Sequence, residues 1–302
     1  DFSSTPVFAS CNIGVKIVTP ITGMTFTEDK ELNQLGYGQE YQIKYTLDPV
    51  DATASLLTWT SDNPDMISVD KTGKLKVHTT KAASAVITAS YGPVVQNVTV
   101  TVADGRFWYS LGNGLGNGLD NNWYLDGNNA SVVSSDGNKT TVQMGSGYRG
   151  DLWLARSGKG KIVNVTPADY RYFAIKVGFK SQLVPGKNKP NGCIKLEIFD
   201  DGIKKIGPEY FGTGGDANNR YEILGASEIS TTEPNVLYYD LQSKYKTVTP
   251  TDWNQVFDLS QCKFVIADFP ETAQTYDLYW IRSFKSIEEL QAFVDSENNT
   301  NE

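Results

Sequence analysis

Along most of the chain, short runs alternate apolar and polar residues with a period of two, and clusters of turn residues separate them. Successive strand side chains take opposite faces, so such runs read as half-buried strands. In the first third they predict strands near 14–19, 24–28, 39–47, 56–60, 66–69, 74–77, 84–91 and 94–102. The cleanest is Tyr41-Gln42-Ile43-Lys44-Tyr45-Thr46-Leu47, with Tyr41, Ile43, Tyr45 and Leu47 facing inward. Gly92-Pro93 lies between two β-rich runs and predicts a hairpin turn. Several short strands at close spacing predict a sandwich. The first dozen residues are polar and irregular and read as a tether.

Asp104-Gly105 closes this unit, and a new apolar block starts at once, with Phe107, Tyr109 and Leu111 alternating with Trp108 and Ser110. Further strands are predicted at 130–134, 139–144, 148–156, 172–179, 193–199, 237–241, 264–269 and 276–281. The last two are apolar on both faces and therefore central. The Gly/Asn repeat at 112–119 lacks the glycine offsets of a dinucleotide loop and the Lys-Ser/Thr of a phosphate loop, and reads as a flexible loop. Pro250–Phe257 is expected to form a short helix. Ser286 followed by Glu289 is a capping box, and Ile287, Leu290, Phe293 and Val294 have helical spacing. The expected fold is all-β: a tether over 1–14, a sandwich over 15–104, a jelly-roll-type β-sandwich with a short C-terminal helix over 105–296, and a tail over 297–302.

Composition narrows the function classes. At 302 residues and 39% hydrophobic, the chain can bury two cores, and 21% charged residues exclude a disordered polyelectrolyte. A net charge of -8 argues against nucleic acid, whose binding rests on neutralising phosphates, and against anionic lipid. No run of 18 apolar residues is present. Cys11, Cys193 and Cys262 are far apart and resemble neither a zinc site nor a dense disulfide framework. One disulfide and three free thiols are both compatible with them. A chain that starts at Asp1 reads as processed or trimmed. It is expected to be monomeric.

The candidate chemistry gathers around Tyr148-Arg149-Gly150-Asp151-Leu152-Trp153-Leu154-Ala155-Arg156, a predicted strand. Leu152 and Leu154 share one face; Asp151, Trp153 and Ala155 share the other. A pyranose ring stacks its C–H face on Trp or Tyr, and its hydroxyls pair with Asp, Asn and Arg. Trp123 and Tyr124 sit in a Gly/Asn-rich loop where aromatics are awkward to bury, and Trp108 lies on the next strand. The candidate ligand residues are therefore Trp123, Trp153, Tyr148, Arg149, Asp151, Tyr124 and Trp108, with a polysaccharide or oligosaccharide as ligand. The plainer reading of Trp153 is sandwich core, because Trp is highly buried on average. Trp59 and Trp280 are assigned to the core. Arg149-Gly150-Asp151 spells an adhesion tripeptide but runs straight into a strand, whereas adhesion of that kind needs a protruding loop.

Catalysis is not expected. A glycosidase needs two carboxylates roughly 5–10 Å apart. Asp200 and Asp201 sit in a Gly turn, Glu288 and Glu289 on the terminal helix, and no motif brings Asp120, Asp126, Asp151 and Asp216 together. The single histidine, His78, has no triad or metal partner in the pattern. No cofactor is expected. A structural calcium ion is the one metal to consider, with Asp120, Asp200 and Asp201 as weak candidates.

Two stretches carry a family resemblance. Leu47-Asp48-Pro49-Val50-Asp51-Ala52-Thr53, then Leu57-Thr58-Trp59-Thr60-Ser61-Asp62-Asn63-Pro64, Val69-Asp70-Lys71-Thr72-Gly73-Lys74-Leu75 and Ala85-Val86-Ile87-Thr88-Ala89 together resemble the bacterial Ig-like group 2 domain. That resemblance implies a spacer or stalk on an exported protein. The ending Asp277-Leu278-Tyr279-Trp280-Ile281-Arg282-Ser283-Phe284-Lys285-Ser286-Ile287-Glu288-Glu289-Leu290 resembles that of a family of Bacteroidetes surface proteins, in which an Ig-like domain precedes a carbohydrate-module-like sandwich. Ser283 stands where that family has Thr. The resemblance implies non-catalytic glycan capture at the bacterial outer-membrane surface, a lipid anchor on the full precursor and neighbouring outer-membrane glycan-uptake proteins. The alternatives are an adhesin or structural surface protein without sugar binding, and a glycoside hydrolase with an unrecognised carboxylate pair.

Overall fold

The computed structural model describes residues 17–115, 124–125, 130–144, 150–155, 163–182, 195–200, 222–242, 257–266 and 274–299. At 124, 150–151, 153–155, 163, 195–200, 257–262 and 265–266 it describes the backbone alone. The protein is all-β, with one α-helix at its C-terminal end and two single-turn 3-10 helices, Lys30–Asn33 and Ala54–Leu56, among the described residues. The first nine strands are β1 (Gly23–Phe26), β2 (Leu35–Tyr37), β3 (Glu40–Gln42), β4 (Tyr45–Asp48), β5 (Thr58–Ser61), β6 (Ile67–Val69), β7 (Lys74–Val77), β8 (Ala83–Tyr91) and β9 (Val94–Ser110). They are followed by β10 (Tyr124–Leu125), β11 (Ala130–Ser135), β12 (Thr140–Met144), β13 (Gly150–Ala155), β14 (Val163–Val165), β15 (Tyr172–Phe179), β16 (Lys195–Asp200), β17 (Glu222–Ile223), β18 (Asn235–Asp240), β19 (Phe257–Ile266), β20 (Thr275–Phe284) and the helix α1 (Ile287–Asn299).

Local turn chemistry explains the first region. Tyr91 pairs with Val94, so Gly92-Pro93 is a two-residue hairpin loop, and Gly92 supplies the positive φ of +56° that such a loop requires. In the β6–β7 hairpin, Asp70 Oδ1 accepts bonds from the backbone N–H groups of Thr72 and Lys74, and Gly73 turns the chain at φ +82°. A Cβ on Gly73 would lie 2.7 Å from Trp59 Cζ2. Trp59 is buried there, its ring near Phe26 and Tyr45, in a core that also holds Ile43, Ile67, Leu75 and Ile87. Its assignment to the core is correct.

The strand expected over 39–47 is two strands. β3 pairs with β7 and β4 with β1, so the chain changes sheet at Ile43-Lys44. Ile43 is buried at this crossing, which is why the alternation runs through it unbroken. Residues 17–19 of the strand expected at 14–19 are irregular. Residues 35–37 form β2, parallel to β9, although Leu-Gly-Tyr carries no alternation to reveal it.

β9 runs without a break through Asp104-Gly105. Its first half pairs with β8 and its last residues with β20, at Trp280↔Ser110, Ile281↔Tyr109 and Arg282↔Trp108. Gly105 takes φ +67° and donates its N–H to the Thr80 carbonyl, while Thr166 Oγ1 donates to the Asp104 carbonyl. Further contacts across this point are the Arg106–Glu31 ion pair at 3.1 Å, the packing of Tyr37 against Phe107, and the bond from Thr80 Oγ1 to Asn164 Oδ1.

The last residues of β9 and the strands after it form a sandwich. In one sheet β20 is central, flanked by β15 on one edge and by β12 and β9 sharing the other. In the other, β19 is central, with β13 and β14 on one edge and β16 on the other. Both expectations of centrality hold. The inner faces meet where Phe264 of β19 packs on Phe173 and Tyr239, and Phe173 on Phe107. Outside this core, α1 covers the far face of β20. Ser286 Oγ accepts from the Glu289 N–H, as a capping box requires, while the Glu289 carboxylate accepts from the Lys285 N–H. Leu290 and Phe293 then pack with Trp280 and Phe284, and Trp280 Nε1 donates to Glu297 Oε2 at 3.1 Å. Trp280 is core, as expected, but of this smaller cluster rather than the main one. Of the helix expected at 250–257, only Phe257 is described, and it begins β19.

Candidate functional site

The expected sugar-reading residues divide by what is described of them. Trp123, Tyr148 and Arg149 lie outside the described residues, as do Asp120, Asp201, Cys11 and Cys193. Tyr124, Asp151, Trp153, Asp200 and Cys262 are described by backbone alone. The register nevertheless joins the two stretches singled out in the sequence: β10 pairs with β13, with Tyr124 directly opposite Trp153 and Leu125 opposite Leu152. Asp151 lies opposite Val265 on the other side of β13. Leu152 is fully buried and belongs to the main core. Among the described residues no three His, Cys, Asp or Glu side chains group as a metal site would. His78 Nε2 lies 2.8 Å from Ser68 Oγ, a structural contact.

Trp108 is described in full, and it is not a free-standing strand aromatic. Register sets it opposite Arg282, whose guanidinium carbon sits 4.4 Å from the indole centroid. Arg106, two residues earlier on the same face of β9, stacks its own guanidinium at 4.5 Å. Phe284 and Phe293 complete the contact, at 5.5 and 5.1 Å between ring centroids. Sugar stacking expected of this indole meets a ring already engaged by two cations.

Trp108 and Arg282 border a cleft of about 300 Å³ at the turn between β2 and β3. Its lining includes Glu40, Lys76, Trp108, Ser110, Asn113 and Arg282. Gly38, at φ +78°, makes the turn possible: its missing side chain leaves room for the Tyr109 ring, which a Cβ there would overlap. Glu40 and Lys76 face one another across β3 and β7, and Glu40 is held by Lys74 at 2.5 Å.

Arg282 is the electrostatic centre of this region. Burial pushes its pKa down to about 10, with Arg106 adding to the fall and the carboxylates of Glu297 and Glu31 opposing it. The group still carries its charge at neutral pH. It rests against Phe293 at 4.3 Å and Trp280 at 5.3 Å as well as Trp108, favourable contacts for a cation shielded from water. Its Nε meets no acceptor among the described residues. The pattern contained a signal for this residue: Arg282 is a lone cation in the apolar run Leu278-Tyr279-Trp280-Ile281 to Phe284. A charge in a central strand needs a reason.

A second charged group on β20 has an evident structural role. Asp277 is 1% exposed and accepts from Lys139 at 2.8 Å and Thr141 at 2.7 Å, with Lys180 also at 2.8 Å. Burial pushes its carboxyl pKa up, but the two lysines and Thr141 outweigh burial and leave it below the usual carboxylate range. The same contact with Asp277 raises the pKa of Lys139.

A family model described as a domain of unknown function (DUF4979) matches residues 114–290. No curated protein matches. Among solved structures, one similar chain is the M60 catalytic domain with the CBM51-1 and CBM51-2 domains of Clostridium perfringens ZmpB: 12% identical, covering 90% of this chain and 23% of that one, with a TM-score of 0.25. Another holds the CBM51-2 and INT domains of the same protein: 11% identical, covering 86% of this chain and 47% of that one, with a TM-score of 0.21. The chain thus spans less than half the length of either.

Proposed function

The chain belongs to the family described as a domain of unknown function (DUF4979), and from that premise we propose that it is a non-catalytic glycan-binding protein of a bacterial surface. One observation carries the reading: Tyr124 lies directly across from Trp153 in the β10–β13 pair. Two aromatics at neighbouring backbone positions, with Asp151 two residues along β13 and Trp123 adjoining Tyr124, bring stacking and hydroxyl-pairing groups to one sheet edge. In this reading residues 15–104 form an Ig-like spacer and 105–296 the binding sandwich. A lipid anchor on the full precursor would hold it at the outer membrane, beside glycan-uptake proteins, and a calcium ion at Asp120 or Asp200-Asp201 would be structural.

The test is affinity electrophoresis of the whole chain in gels containing a panel of polysaccharides. Retardation is expected on at least one of them, and Trp153→Ala and Trp123→Ala should each weaken it about tenfold, the loss of roughly one stacking contact. No retardation on any polysaccharide, or equal retardation of both variants and the wild type, would overturn the proposal.

A further inference from the structure

Three carboxylates lie near Arg282, and each is engaged elsewhere. Glu297 accepts from Lys176 at 3.1 Å and from Trp280. Glu31 pairs with Arg106 and accepts from Gln39 Nε2. Glu40, in the cleft itself, is paired with Lys74. Among the described residues neither Arg282 nor Lys76 makes an ion pair. Beside the Lys74-paired Glu40, the cleft is therefore lined by two cations that form no ion pair among the described residues, one of them largely withdrawn from water. Withdrawing a charge from water is costly, and aromatic contacts recover only part of that cost.

We infer that this cleft takes the carboxylate of an acidic sugar, with Arg282 as its charge partner and Lys76 at its rim. A guanidinium whose faces are used by rings still has its edge, a planar fork of N–H donors that matches the two oxygens of a carboxylate. Ser110 and Asn113 line the same space with groups that pair with hydroxyls. The volume, about 300 Å³, lies at the lower end of the range for small-molecule sites. The net charge of -8 disfavours indiscriminate adsorption of an anion, so attraction here has to be local. The ligand class rests on the glycan-binding reading; the site does not, since it is separate from the β10–β13 edge.

The experiment titrates the whole chain, by calorimetry, with galacturonate- and glucuronate-containing oligosaccharides and with their methyl esters. The esters keep the sugar and remove the charge. The acids should bind at least tenfold more tightly than the esters. Arg282→Lys, which keeps the charge but loses the fork, should weaken acid binding about tenfold, and Lys76→Gln a few-fold. Circular dichroism checks folding, and if Arg282→Lys does not fold, the exposed Lys76→Gln decides. Equal binding of acid and ester, no binding of any acid, or wild-type acid affinity in the deciding variant overturns the inference. Retention on a neutral polysaccharide that is lost in Trp153→Ala, together with equal acid and ester binding, would sink this inference and leave the glycan-binding proposal standing. Acid binding sensitive to Arg282 but indifferent to Trp153 would do the reverse.

Discussion

Trp59 and Trp280 are both buried indoles on strands, and they are held by different physics. Trp59 is enclosed by Phe26, Tyr45 and the bare backbone of Gly73, and its Nε1 finds no acceptor among the described residues. Shape and apolar contact hold it. Trp280 donates to Glu297, faces the Arg282 guanidinium and packs on Phe284 and Phe293. Charge and hydrogen bonding share the work there. The groups that enclose the first ring come from residues 26–73. The second needs β9, β20 and α1 at once.

That contrast predicts where substitutions hurt most. Trp59→Ala should cost about 4 kcal/mol of stability in urea unfolding, because a large apolar side chain leaves a cavity. A loss below about 2 kcal/mol would mean that the surrounding rings collapse into the space. Gly73→Ala should cost about 3 kcal/mol, combining left-handed strain with overpacking against the Trp59 ring. If the cost falls when Trp59 is already Ala, the overpacking share is confirmed; strict additivity would assign the whole effect to backbone strain.

The β20 side should respond less, and with a pH dependence carried by Asp277. Asp277→Asn should cost about 2 kcal/mol at neutral pH, since hydrogen bonds to a charged group are lost. Its carboxyl pKa is lower folded than unfolded, so its stabilisation is present above the ordinary carboxylate range and disappears as pH falls through the depressed folded value. Unfolding curves of wild type and Asp277→Asn should therefore converge in acid; a gap that is constant with pH would rule out this electrostatic role. The smallest effect expected is that of Trp280→Phe, about 1 kcal/mol for the lost donor to Glu297. A cost equal to that of Trp59→Ala would erase the distinction between the two indoles.

Much of the fold could be read from the pattern. The Asp70–Gly73 and Gly92-Pro93 hairpins follow from turn residues whose backbone needs are local. So does the start of α1 at Ser286, and the centrality of β19 and β20 follows from their two apolar faces. Reading failed where one run served two purposes. Ile43 continues the alternation of 39–47 while the chain changes sheets. β9 carries the polar Asp104-Gly105 pair inside a continuous strand, because Thr80 and Thr166 satisfy its backbone from outside. Of the expected binding residues, Trp153 follows from strand alternation and Trp123 from its Gly/Asn-rich loop; that Tyr124 lies opposite Trp153 is a matter of register. Arg282 stands in the chain as one residue of the ending motif, and nothing local to it reveals the cleft.

By itself, then, the sequence determined the class of fold, the hairpins, the terminal helix and the core role of Trp59. Each depends on residues near one another in the chain, through side-chain period, turn conformation or capping. Only the tertiary structure decided that Arg106, Trp108 and Arg282 stack together beside a cleft, and that the carboxylates around them are already taken. Those facts depend on which strand pairs with which, and pairing between segments some 175 residues apart is chosen by the packing of the whole sandwich, not by any local stretch.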